Sequence, residues 1–285
     1  MRKELRNLTK RVYVIVDPQQ RLRRELHDLT KRTRVALDPF NILVYRLLHK
    51  DVPGVPPIEN RIRVGSRRIR RFMEAGRNCY TPIRRAIDQY YRGPSRPRVL
   101  DFGCGVGRVL QYFARDNVEL YACDVDASAI EYVRRTFPAV QSAVNRYDPP
   151  LPYPDAQFDV VYSVSIWTHL PPHAQIPWLL EIRRVLAPGG LALITTIGPY
   201  GYRIGTHLGE VAFSLEDLLR EGFCYSEYKT KDPGTGPSYG AGYHTPAYVA
   251  AEWGKYFDIL GDVQEGVIDN LNDLVVLQKR PLESA

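Results

Sequence analysis

From residue 98 onward, apolar runs of strand length alternate with apolar positions spaced as on helices. Val99 to Phe102 predicts a first strand, followed by a helix through Val109, Leu110 and Phe113. Val118 to Cys123 predicts a second strand, with a helix after it carrying Ile130, Val133 and Phe137. A short strand near 140–144 and a proline-rich loop precede FDVVYSV (158–164), a fourth strand. Trp178, Leu179, Ile182, Val185 and Leu186 mark one helix face, which APGG (187–190) is expected to stop before a fifth strand at 191–197. Alternation of this kind predicts an α/β fold with a parallel sheet covered by helices. Residues 198–246 break the rhythm: Gly, Tyr and Pro are frequent, and one short helical patch lies near 215–219. Thr245-Pro246 opens a helix through Trp253, and 256–266 with 272–279 predict a closing antiparallel strand pair.

The first third has another character. Leu22, Leu26 and Leu29 repeat at helical spacing, a second helical patch spans 42–48, and Asp38-Pro39 is expected to break the chain between them. DVPGVPP (51–57) predicts a linker, and 58–92 an arginine-rich helical stretch with Ile62, Ile69, Phe72, Met73, Ile83, Ile87 and Tyr90 as its apolar positions. Residues 1–98 hold 25 Lys and Arg against 9 Asp and Glu, whereas 99–285 hold 14 against 23. The net charge of +7 therefore belongs to the amino-terminal region. Such a surface suits a phosphate backbone, an acidic protein, an anionic membrane surface or the acidic remainder of the chain. Few aromatic residues interleave with the arginines, so a solvated face is preferred to nucleic-acid binding. No apolar run approaches the roughly 20 residues of a membrane span. MRKELRNLTKR lacks the apolar core of a signal peptide, which makes the cytoplasm the expected compartment. The four cysteines have neither metal-ligand nor disulfide-framework spacing, and no metal site is expected.

The chemistry concentrates in VLDFGCGVGRVL (99–110). A strand ends in Asp101, Gly103, Gly105 and Gly107 follow at alternate positions, and a helix begins at once. Bare backbone and a helix amino terminus thus approach a small ligand. Arg108 stands where a dinucleotide fingerprint places its third glycine, and the Asp101 carboxylate suits a cationic amino group better than a pyrophosphate. Asp124, ending the second strand, is placed to accept hydrogen bonds from both hydroxyls of a ribose, while Asp126 reads as a helix N-cap. His169, just past the fourth strand, and His244, in the irregular segment, are the candidate general bases. Tyr200, Tyr202, Tyr239 and Tyr243 supply packing and an aromatic pocket wall.

Taken in order, DFGCGVG (101–107), CDVD (123–126), LPYPDAQFDVVYS (151–163), HL (169–170) and RRVLAPGGLALIT (183–195) resemble the class I S-adenosylmethionine-dependent methyltransferases, most closely the bacterial enzymes acting on small molecules. The resemblance covers about 98–280 and implies a Rossmann-like seven-stranded sheet with an antiparallel last strand and helices on both faces. It implies that Gly103, Gly105 and Gly107 pass under the methionine and sugar of the cofactor, and that Asp101 holds its amino-acid end. Asp124 would bind the ribose, Val125 would pack on the adenine, Asn145 and Arg146 would edge it, and Ser163 would line the methionine side. The family often has an acidic residue before the LPF-like turn; here the stretch is NRYDPP, leaving Asn145 and Asp148 as alternatives. The chain is thus expected to divide into a basic helical extension or cap (1–97) and a cofactor-binding domain (98–285), with 198–246 capping the substrate. Its expected activity is methyl transfer to oxygen or nitrogen of a small-molecule acceptor. An RNA methyltransferase, with the basic region gripping nucleic acid, is the alternative.

Overall fold

The computed structural model describes residues 18–50, 52, 54–64, 66–205, 211–228 and 239–280. The segment 1–11 read for a signal sequence lies outside them, as do parts of the 51–57 linker and of 198–246. In chain order the helices are α1 (Pro18–Leu48), α2 (Ile58–Arg63) and α3 (Ile69–Tyr90). Then come β1 (Arg98–Phe102), α4 (Leu110–Phe113), β2 (Glu119–Asp124), α5 (Ala127–Thr136), β3 (Gln141–Val144), β4 (Phe158–Ser163), α6 (Pro172–Val185) and β5 (Leu186–Thr196). The rest is α7 (Pro199–Ile204), α8 (Leu215–Glu221), β6 (Phe223–Glu227), β7 (Gly240–His244), α9 (Pro246–Glu252), β8 (Asp258–Ile259), β9 (Gln264–Ile268) and β10 (Asn272–Gln278).

The main sheet runs β3-β2-β1-β4-β5-β10-β8, and β9 also pairs with β10. β1 to β5 run parallel to one another, while β10 is antiparallel to β5, β8 and β9. The strand order reverses at β1, which puts a crevice at the carboxyl ends of β1 and β4. Successive side chains of a strand face opposite ways. Val99, Val160 and Tyr162 accordingly enter one core with Ile83 and Ile87 of α3, while Leu100, Phe102 and Val161 enter another with Trp178 and Ile182 of α6.

The structure departs from the sequence expectations at four places. The chain does not break at Asp38-Pro39: α1 continues through Pro39. Asp38 turns inward there and binds the buried Arg61 guanidinium through Oδ1, at 2.5 Å, and Oδ2. It also accepts the Ile58 N–H at 2.8 Å, so the first helix is pinned to the start of α2. The helix after the glycine turn shrinks to Leu110–Phe113. APGG does not separate α6 from a strand at 191; β5 begins at Leu186, and the segment is an irregularity within it with Gly189 at φ +75°. Residues 223–227 and 240–244 form an antiparallel hairpin unforeseen in the irregular segment.

Removing one partner of a buried ion pair leaves an uncompensated charge, which costs about 3–5 kcal/mol. Asp38→Ala is expected to weaken the docking of α1 on α2 by that amount. Hydrogen exchange should accelerate across residues 55–63 and stay unchanged in β1 and β4.

Candidate functional site

The parallel register sets Phe102 beside Cys123, so the glycine loop leaving β1 lies against the end of β2. The N–H groups of Gly103 and Cys104 both donate to the Cys123 carbonyl, at 2.9 and 3.0 Å. Asp124 finishes the hold: Oδ2 accepts the Gly105 N–H at 2.7 Å and Oδ1 accepts the Asp126 N–H at 2.9 Å. Each oxygen keeps a lone pair for another donor. Burial raises the Asp124 pKa, opposed by these backbone hydrogen bonds. Gly103 and Gly107 sit at φ +79° and +77°, where a side chain is strained. A Cβ on Gly103 would stand 2.2 Å from Ile166 Cδ1. The positive φ values themselves require glycine at these two positions of the cradle.

Asp101 faces the same crevice. Cross-strand register places Tyr162 next to it, and the Tyr162 hydroxyl donates to Asp101 Oδ2 at 2.8 Å. Burial pushes the Asp101 carboxyl up to about 8, against the lowering effect of that hydrogen bond. A carboxyl held this high lacks a cation, and an ammonium group would complete it. Asn145 follows β3 with its N–H on the Asp124 carbonyl at 3.1 Å and its Nδ2 on the Arg146 carbonyl at 2.8 Å. Its Oδ1 is buried without a partner and fits an amino donor such as that of adenine. Val125 is half-buried between β2 and α5, and Arg146 is exposed. Ser163 is buried with its hydroxyl committed to the Phe102 carbonyl at 3.1 Å, so it braces β4 against β1. Asp126 caps α5 by accepting from the Ser128 N–H at 2.9 Å. The cradle, the Asp101 carboxyl and the orphan Asn145 oxygen together fit S-adenosylmethionine.

Two covers flank the crevice, one from each region expected as a cap, although no local motif marks the residues that form them. Val64, just beyond α2, lies over the loop, its Cγ1 3.4 Å from where a Gly105 Cβ would stand. Arg108 Nη1 donates to the Val64 carbonyl at 2.9 Å, and Arg63 pairs with Asp126. On the other side the β6–β7 hairpin is stitched to the ends of β4 and β5. Gly242 N–H donates to the Thr168 carbonyl at 2.8 Å, and His244 N–H to the Ile197 carbonyl at 2.8 Å. His169 Nδ1 lies 2.8 Å from the Gly240 carbonyl and so carries the proton, leaving Nε2 as the basic nitrogen. Its ring stacks on Tyr239 with centroids 4.5 Å apart, and burial lowers its pKa. His244 is buried, its Nε2 3.1 Å from Gln175 Oε1 and its Nδ1 unpartnered. Burial drives its pKa down to about 3, so it is neutral at physiological pH. Tyr202 and Tyr243 pack against each other and Phe213, whereas Tyr200 is exposed. A polar group completes the floor: Ser165 N–H donates to Thr195 Oγ1 at 2.8 Å, and Asn272 Nδ2 to Ser165 Oγ at 3.0 Å. Beside it the buried Asp273 carboxyl is raised to about 6 by burial. In the sequence, Asn272 and Asp273 carried no signal beyond preceding an apolar strand.

Residues 99–190 match the family described as Methyltransferase domain. The fatty-acid O-methyltransferase of Mycolicibacterium smegmatis is 35% identical over 105 residues, which are 36% of this chain and 38% of that protein. The tRNA N(3)-cytidine methyltransferase METTL2 of Gallus gallus is 25% identical over 130 residues, 41% of this chain and 35% of that protein. The similarity thus spans little more than a third of either relative's length. A solved SAM-dependent methyltransferase of Methanosarcina mazei shares the fold at a TM-score of 0.51 and 18% identity, covering 69% of this chain and 98% of that one. Residues 99–190 are thus a methyltransferase domain with the fold of solved SAM-dependent methyltransferases, and its site fits S-adenosylmethionine as the cofactor. Among the described residues, no helix is long and apolar enough to cross a membrane.

A cation reaching Asp101 favours its charged form. At neutral pH, cofactor binding is therefore expected to release a proton, seen by calorimetry in buffers of different ionisation enthalpy. Asp101→Asn should weaken binding and abolish the release. Without ligand, the same group opposes folding as pH rises. Its unfolded value is 3.8 and its folded value about 8. Between them the folded state holds a proton that the unfolded chain has lost, so stability falls with rising pH across that window. Asp101→Asn is expected to raise the melting temperature of the unliganded protein at pH 8 while impairing binding.

Proposed function

We propose that this chain transfers the methyl group of S-adenosylmethionine to an oxygen or nitrogen of a small-molecule acceptor. The observation that carries this reading is the covering of the crevice from both sides, by Val64 over the glycine loop and by the hairpin over β4 and β5. A site roofed in this way suits a compact acceptor and excludes water. The bound cofactor supplies an electrophilic methyl on a sulfonium leaving group. Asp101 and Asp124 orient its amino-acid and ribose ends, Val125, Asn145 and Arg146 border the adenine, and Ser163 braces the floor. The division into an extension at 1–97 and a domain at 98–285, capped by 198–246, and a cytoplasmic location belong to the same reading.

His169 is the general base of this reading, because its proton is fixed on Nδ1 and its Nε2 is a free acceptor. His244 has no part in proton transfer here, since its ring is buried against Gln175 and Trp253. Related proteins act on a fatty acid and on a tRNA cytidine, so oxygen and nitrogen acceptors both occur among them. The RNA alternative draws on the tRNA enzyme and on the basic amino-terminal region. Part of that charge is neutralised internally, by Arg63 on Asp126, Arg71 on Asp269 and Arg98 on Asp159.

His169→Ala is expected to lower kcat on a hydroxyl acceptor by about 10²–10⁴ while leaving cofactor affinity intact. In the wild type, kcat should rise with pH through a pKa below 6.5, the ordinary imidazole value, because the neutral ring is the active form. An unchanged kcat in the variant would remove His169 from the mechanism. Tight binding to bulk RNA that weakens steeply with salt would replace the small-molecule reading with the RNA one.

A further inference from the structure

Among its described side chains, the 31-residue helix α1 touches the body of the protein along a narrow strip. Asp38, Ile42 and Tyr45 make that strip: Asp38 is buried on Arg61, and the other two are half-buried. The opposite face is apolar and open. Leu26, Thr33, Phe40 and Leu47 recur every seven residues, with Leu29, Ala36 and Leu43 interleaved. Leu29, Phe40 and Leu47 are 61%, 63% and 64% exposed. Leu37, Val44 and Leu48, also exposed, widen the stripe beyond a single seam. From Leu26 to Leu48 it runs about 33 Å at the helical rise. Solvent-facing leucines in such number mark a surface that is covered in use.

We propose that this face of α1 lies on an anionic lipid bilayer, parallel to its plane. Charge complementarity selects the occupant. Arg32 and Arg46 border the stripe on one side and Arg34 on the other, all exposed. An open groove of about 880 Å³ continues from the stripe toward α2. It combines apolar Leu29, Leu37 and Ile69 with the guanidinium groups of Arg34, Arg67 and Arg68. Apolar depth with arginines at the margin is the pattern of a helix seated at the headgroup–acyl boundary. A second copy of the chain fits less well. A paired coil needs a narrow seam with opposite charges at its margins, and here wide apolar flanks and arginines would face their own kind.

The test is co-sedimentation of the full chain with phosphatidylcholine vesicles, with and without phosphatidylglycerol. Binding is expected only to the anionic vesicles, and it should weaken as salt rises. Phe40→Glu with Leu43→Glu should reduce the affinity at least about tenfold, and Arg32→Glu with Arg46→Glu should do the same. Both variants should keep wild-type circular dichroism and affinity for S-adenosylhomocysteine, because neither pair touches the crevice. Absence of wild-type binding to anionic vesicles overturns the proposal. So does a Phe40/Leu43 variant that binds as the wild type does. A wild-type dimer that the Phe40/Leu43 variant dissolves, with no vesicle binding by either, would assign the face to a second copy instead.

Discussion

The site depends on one carboxylate holding backbone. Asp124 sits where β2 ends and takes N–H donors from Gly105 on one oxygen and from Asp126 on the other. Its carboxylate thereby ties the glycine loop of β1 to the start of α5. The loop needs such an anchor because its glycines have no side chains to pack and lose much backbone freedom on ordering. The Cys123 carbonyl, receiving two loop amides, is the second anchor. Both come from β2, so the parallel β1–β2 pairing that builds the sheet also shapes the cradle.

The Asp101 side of the crevice is arranged differently. Asp124 is satisfied by backbone amides, but Asp101 is buried with the Tyr162 hydroxyl donating to it. The protein bears the cost of an uncompensated carboxyl until a ligand brings the missing charge. Affinity for a zwitterionic amino-acid end is in this sense prepared in advance by a locally unfavourable site. Asp273, three strands away on β10, is likewise raised by burial.

What could be read from the sequence follows from how local each cause is. The strand–glycine–helix signature and the acid ending β2 are determined within a few residues, so the cradle was visible without coordinates. A parallel sheet with an antiparallel last strand followed from alternation and the family resemblance. Both capping regions were expected, but the residues that do the covering were not, because Val64 approaches Gly105 across more than forty residues of sequence and nothing local marks it. Tyr162 reads as one apolar position of a strand until the register sets it beside Asp101. The hairpin hid in a stretch whose glycines, at 240 and 242, argue against strand formation; its pairing is held by contacts to Thr168 and Ile197. Pro39 misled for a related reason: proline's local preference for breaking a helix was overridden by the tertiary bond of its neighbour Asp38 to Arg61.

The helix before β1 limits how this molecule can be dissected. The methyltransferase match begins at residue 99, yet Cys79, Ile83, Ala86 and Ile87 of α3 lie in the same core as Val99, Val160 and Leu193. A fragment cut at the motif boundary would strip one face of the sheet and leave those strands greasy in water. Excision that preserves a soluble catalytic unit has to begin upstream of Ile69. If the segment over Gly105 is to be kept as well, it has to begin upstream of Ile58.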